Sequence, residues 1–178
     1  MRVLDVHTHL GACGVFDICQ TEKELLDYME KERIDGVITQ PLPGCRNVRE
    51  VHDQIAKLSR EHPGKIFGLV SLNPHQEERA YVDEVERLVK DEGFVGVKLH
   101  TVGHAVNPIG NDATKIFEVA KRLKIPVMIH TGVGVPFALP ALALPRALEY
   151  PTVPIILLHA GWGWVVGAET MSVAKMAK

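Results

Sequence analysis

Short apolar runs alternate with segments of helical period along this chain. The runs are Val3–His9, Gly36–Gln40, Ile66–Leu72, Phe94–His100, Val127–His130 and Ile155–His159. Each is nearly continuous in apolar character and rich in β-branched residues, as parallel strands buried on both faces are. The segments between them are amphipathic. Leu25, Leu26 and Met29 share one face of the first, which Thr21 and Glu24 open as a capping box. Val48, Val51, Ile55 and Leu58 define the second, Val82, Val85 and Val89 the third, and Ile116, Phe117, Ala120 and Leu123 the fourth. A short fifth is expected around Leu142 to Tyr150 between prolines, and a last from about Val165 onward.

Six strand–helix units with short connections imply parallel strands joined by right-handed crossovers. A doubly wound sheet and a barrel both satisfy that alternation. The turn after the first strand reads His-Thr-His-Leu-Gly-Ala-Cys-Gly and lacks the spacing of a dinucleotide-binding turn. The expected fold class is therefore α/β, a TIM-type (β/α)8 barrel. No linker or charge block divides residues 1–178, so a single domain is expected. A complete barrel has eight units over roughly 250 residues, so six units predict an incomplete barrel, truncated at its C-terminus unless two chains complete each other. From Ile125 onward the charged residues are Arg146, Glu149, Glu169, Lys175 and Lys178. An edge so poor in charge is one that further strands or a second copy would cover.

Composition narrows the function. Hydrophobic residues make up 46% and charged residues 24%, with a net charge of −2, so a basic footprint for nucleic acid or anionic membrane is absent. The N-terminus shows no secretory signal, and the apolar stretch Val135 to Leu144, broken by Pro136 and Pro140, is too short to span a bilayer. Cys13, Cys19 and Cys45 lack CxxC spacing and are expected as free thiols in a reducing compartment. These observations predict a cytoplasmic protein with a small-molecule substrate, no nucleic-acid or membrane partner, and self-association.

Candidate chemistry lies in the histidines. His7 and His9, His100, His130 and His159 all stand at or beside the C-terminal end of an expected strand, the face on which barrel enzymes gather catalytic groups. Strand period two sends His7 and His9 to the same side. Paired imidazoles there suit one divalent ion, since neutral imidazole nitrogen is a preferred zinc ligand. A single strand-terminal histidine is more often a hydrogen-bonded core residue; their recurrence on several strands favours metal binding. Lys98 and His100 share a face of the fourth run. His75 and His104 fall in loops and read as solvated, Cys13 as a bystander thiol, and His52 and His62 as surface. Trp162 and Trp164 either wall the pocket mouth or cover the barrel edge.

Asp5-Val6-His7-Thr8-His9, His130 in Val-Met-Ile-His-Thr-Gly and His159 in Ile-Leu-Leu-His-Ala-Gly are together similar to the amidohydrolase superfamily. The likeness is to its amidohydrolase-related branch, which holds hydrolases and non-oxidative decarboxylases. The resemblance implies that His7, His9 and His130 bind metal, and that His159 binds a second metal or orients the reactive water. It implies a divalent cofactor, zinc first, with manganese or iron as alternatives. The family ends its eighth strand with an aspartate that binds metal and acts as general base, and this sequence carries no such segment. A strand-four lysine is carboxylated in some members, which leaves Lys98 between that role and pairing with a substrate carboxylate or a structural acid. His100 reads as a site-lining group rather than a ligand.

Three readings follow. The first is a metal-dependent hydrolase of a small amide, ester or lactone, with His159, His100 and Lys98 acting on substrate and water. The second is a metal-dependent decarboxylase of a small unsaturated or aromatic acid using the same residues. The third is an inactive truncated barrel that serves as an assembly module.

Overall fold

The computed structural model describes residues 1–14, 16–162 and 164–177, with the side chains of Trp164, Val165 and Val166 outside the description. Contacts group the chain into two compact units, Met1–Ser71 with Arg87–Val95, and Leu72–Glu86 with Gly96–Lys178. Helix α3 (Glu78–Lys90) contributes residues to both.

The first unit holds a four-stranded sheet of order β2-β1-β3-β4. Strands β1 (Leu4–Cys13), β3 (Gly36–Pro41) and β4 (Ile66–Gly68) are parallel, while β2 (Ile18–Gln20) returns antiparallel on β1. That hairpin strand is missing from the sequence expectation, because three residues are too few to show a period. Helix α1 (Glu22–Lys31) opens with the expected box: Glu24 N–H donates to Thr21 Oγ1 at 3.2 Å and Thr21 N–H to Glu24 Oε2 at 2.8 Å. Helix α2 (Val48–Glu61) buries Val51, Ile55 and Leu58 against the sheet.

It also buries His52, which corrects its reading as a surface residue. Position 52 lies four residues after Val48 and three before Ile55, inside the apolar stripe. Its Nε2 accepts the Ser71 N–H at 3.0 Å, and burial pushes its pKa down to about 3. Phe94 lies 5.7 Å from the His52 ring. Phe94 also explains Gly68: a Cβ at that glycine would come within 2.2 Å of the Phe94 ring. Any side chain there displaces the aromatic, at about 1–3 kcal/mol for overpacking.

The second unit holds a parallel sheet of order β5-β6-β7, made of β5 (Val97–Leu99), β6 (Val127–His130) and β7 (Ile155–Leu158). Helix α4 (Asn111–Leu123) packs Ala113, Ile116, Phe117 and Ala120 into the core. Pro140–Ala143 forms a single 3-10 turn leading into α5 (Leu144–Glu149), and α6 (Trp164–Met176) ends the chain. Arg146 is buried and donates to Pro108 O at 2.8 Å, Gly110 O at 2.9 Å and Thr114 Oγ1 at 2.9 Å. Those bonds hold the loop that follows β5 against the start of α4. No helix among the described residues is long and apolar enough to cross a membrane.

Candidate functional site

In the first unit the site begins on β1. The β1–β3 register slips between Asp5 and Thr8, a bulge that lies at the approach to His7. Bulges re-aim side chains beside functional sites. Both His7 and His9 remain half-buried, with ring centroids 4.9 Å apart. They line a cavity of about 410 Å³ with Asp5, Thr8, Tyr28 and Leu42. His9 Nδ1 sits 3.4 Å from Pro41 O, a long contact that orients the ring with Nδ1 as donor and Nε2 as the lone-pair nitrogen.

Sequence reasoning quoted Asp5 without giving it a task, and the structure supplies one. Its Oδ1 accepts the His7 N–H at 3.0 Å and its Oδ2 accepts the Tyr28 hydroxyl at 2.8 Å. The carboxylate thus braces the bulge that presents His7. Gln40, the register partner of His9, is buried with both side-chain amide atoms unpartnered among the described residues. A buried, unsatisfied amide beside two imidazoles is costly unless something polar is bound there. That donor chemistry fits a divalent cation with its water ligands. Still, among the described residues no group of three or more His, Cys, Asp or Glu is arranged to hold an ion.

In the second unit three adjacent parallel strands end in imidazoles. His100 follows β5, His130 closes β6 and His159 follows β7. The rings of His100 and His130 stack at 4.6 Å, and those of His130 and His159 meet edge-on at 4.8 Å. His100 Nδ1 accepts the Gly103 N–H at 2.9 Å, which leaves Nε2 as the protonated nitrogen of the neutral ring. That tautomer offers a donor rather than a metal-binding lone pair. Lys98, two residues earlier, is fully buried, and burial pushes its pKa down to about 7. Burial first, and then the Lys98 charge, lowers His159. His104 is pushed down to about 4 by burial, then by Lys98 and His75.

The backbone at His159 is unusual. His159, Ala160 and Trp162 adopt φ of 62°, 46° and 44°. Left-handed non-glycine residues cost about 1–2 kcal/mol each. Thr131 ties this turn down, donating its hydroxyl to Leu158 O and accepting the Gly161 N–H at 3.0 Å. Trp162 is exposed, with its ring 6.3 Å from His159. The Trp164 ring lies outside the described residues.

A further constellation escaped the sequence. His75 Nδ1 lies 2.6 Å from Asp112 Oδ2, and its Nε2 lies 2.8 Å from His104 O. Both partners are acceptors, so both contacts require the imidazolium; the bond to Asp112 is the main cause that raises the His75 pKa. Lys115 Nζ joins the same loop through Pro74 O at 2.8 Å. The partners stand 37 and 29 residues apart in sequence, and no local pattern reveals them. His104 Nδ1 is shielded from solvent and unpartnered among the described residues.

The family model of amidohydrolases matches residues 20–177. The chain belongs to the amidohydrolase family. The matched stretch contains His130 and His159, while His7 and His9 precede it. Solved structures agree on the fold. A 5-carboxyvanillate decarboxylase from Novosphingobium aromaticivorans, complexed with manganese, is 13% identical with a TM-score of 0.73, over 98% of this chain and 69% of that one. The decarboxylase LigW from Sphingomonas paucimobilis is 14% identical with a TM-score of 0.70, over 90% and 68%. A 4-oxalomesaconate hydratase from Rhodopseudomonas palustris is 18% identical with a TM-score of 0.61, over 99% and 69%. This amidohydrolase chain thus spans about two thirds of the length of the structures it resembles. The expected fold class holds: the fold is that of amidohydrolase-type α/β barrels, and each unit's sheet supplies three parallel strands. No curated protein matches the sequence.

Proposed function

We propose that this chain carries the metal-binding and acid-recognising residues of a metal-dependent enzyme acting on a small carboxylic acid. The observation that carries the reading is the second unit's row of imidazoles, His100, His130 and His159, beside the fully buried Lys98. A buried ammonium with an N–H-donating imidazole nearby is a carboxylate-binding arrangement. It is maintained at a cost in stability that a purely structural core would avoid.

The resemblance of the strand-terminal motifs, rather than any contact between them, supports His7, His9 and His130 as the proposed ligands of a divalent ion, zinc first, with manganese or iron as alternatives. When bound, such an ion supplies Lewis-acid polarisation of a substrate carbonyl and a more acidic water. Lys98 and His100 Nε2–H orient the substrate carboxylate. His159 accepts a proton or holds an oxygen by hydrogen bonding. Asp5 keeps His7 in place through the strand bulge.

Hydrolysis of an ester, lactone or amide bearing a carboxylate is the primary reaction. Decarboxylation of an unsaturated or aromatic acid is the second reading, favoured by the two decarboxylases among the similar structures. Metal content of protein purified without chelator tests the common part. About one divalent ion per chain is expected, lost in both His7→Ala and His130→Ala; retention of metal by both variants would overturn the ligand assignment. A panel of small carboxylic acids and their lactones separates the reactions, because decarboxylation releases carbon dioxide and hydrolysis does not.

A further inference from the structure

Two of the three cysteines are paired through their backbones. Cys13, the last residue of β1, and Cys45, in the segment between β3 and α2, are partners in an isolated antiparallel bridge. We propose that Cys13 and Cys45 form a reversible disulfide, a redox site beside the cavity that His7 and His9 line. The inference is independent of the reaction proposed above.

Residues directly opposite in antiparallel pairing have Cα atoms about 4.5–5.5 Å apart. Disulfides span Cα separations of roughly 4.4–6.8 Å, so the bond closes without a rearrangement of the fold. Opposed Cβ atoms lie about 4.5–5.5 Å apart in such pairs, at or beyond the ~3.5–4.5 Å of a relaxed disulfide.

Cys45 Sγ lies over β1, 3.5 Å from where a Cβ at Gly11 would stand. Gly11 has φ of 93° and would place that Cβ 2.9 Å from Val51, so glycine keeps this approach open for Cys45 and Val51. Cys13 is buried and Cys45 half-buried, so a reagent from solvent meets Cys45 first. Cys19 is exposed and stands opposite Ala12 rather than Cys13.

The chemistry balances with a low-molecular-weight disulfide as oxidant. The Cys45 sulfur, after losing its proton, attacks that disulfide and expels one thiolate, leaving a mixed disulfide. The Cys13 sulfur, its proton passed to solvent, then attacks Cys45 Sγ and expels the second. Two protein thiols are oxidised by two electrons, and one external disulfide is reduced to two thiols. The product pins the end of β1 to the segment that follows Leu42, which itself lines the His7–His9 cavity. Oxidation thereby changes how that cavity can open.

The test uses the full chain in glutathione buffers of graded redox poise, with thiol counting and disulfide mapping by mass spectrometry. In the wild type, titratable thiols should fall from three to one on oxidation and return with dithiothreitol. Tryptic peptides holding Cys13 and Cys19 are not separated by a Lys or Arg, so mapping is done in Cys19→Ser, which should still form the intramolecular bond. Cys45→Ser and Cys13→Ser should each abolish it. Because Cys13 is buried and its variant can misfold, Cys45→Ser carries the test. Stable glutathione adducts without a Cys13–Cys45 link, a link that requires Cys19, or only intermolecular disulfides would each overturn the proposal.

Discussion

His7 and His9 leave a bulged strand into a cavity that they share with the carboxylate of Asp5, whereas His100, His130 and His159 end three regular strands beside a buried ammonium. The two clusters look alike in sequence, histidine after an apolar run. Their surroundings differ in charge. In the reading proposed above, the first pair, near Asp5, serves a cation together with His130, while His100, beside Lys98, serves an anion; the Lys98 charge also adds to the burial that lowers His104 and His159. A histidine motif therefore announces a site, and the nearest fixed charge decides what the site receives.

The largest effect expected from this contrast is at Lys98. Its folded pKa near 7 lies far below its ordinary 10.5, so the unfolded chain binds more protons between those values and stability rises with pH across that window. Lys98→Met should stabilise the protein by about 2–4 kcal/mol at pH 7 in urea unfolding while weakening binding of small carboxylates at least tenfold. His7→Ala, at a half-buried position, should change stability by less than about 1 kcal/mol and remove metal. Equal stability changes in the two variants would erase the distinction between the clusters.

A smaller effect separates the first unit's core histidine from its site. His52 is held near 3 in the folded state against an ordinary 6.5, so its contribution is fully present above pH 6.5 and is lost as pH falls below that value. Going from pH 7 to pH 5 should cost about 2 kcal/mol, and His52→Gln should flatten that slope. An unchanged slope in the variant would mean that other groups carry the acid sensitivity.

The smallest effect is at the exposed His75–Asp112 pair. Asp112→Asn removes the main cause that raises His75, so the His75 titration followed by NMR should move to lower pH. In the wild type the pair's stabilisation is present below the ordinary histidine pKa and disappears as pH rises through the elevated one. Little change in global stability is expected, since exposed ion pairs contribute little.

Much of the fold was legible because buried parallel strands announce themselves as short β-branched runs. The six expected runs each overlap a parallel strand, with β1 and β3 extending past theirs to Cys13 and Pro41, and Thr21 with Glu24 caps α1 as their spacing predicts. Two runs proved longer than their strands by several residues: Ile66–Leu72 ladders over Ile66–Gly68, and Phe94–His100 over Val97–Leu99; Ile155–His159 exceeds its strand by one. Apolar character reports burial, and burial continues past the last ladder bond. The surface reading of His52 failed because residue type was weighed above its place in the α2 stripe. Strand-terminal histidines were legible from position alone. The bracing by Asp5, the His100 tautomer and the His75–Asp112–His104 linkage were not.

By itself, the sequence determined the alternation of strands and helices, the family, and the residue types available for chemistry, since those follow from local periodicity and motif spacing. Tertiary structure decided which histidines stack, that Lys98 loses all contact with water, and that Cys13 meets Cys45. Desolvation and contact between distant residues arise only when the chain closes on itself, and they are what convert a list of polar side chains into sites with defined charge.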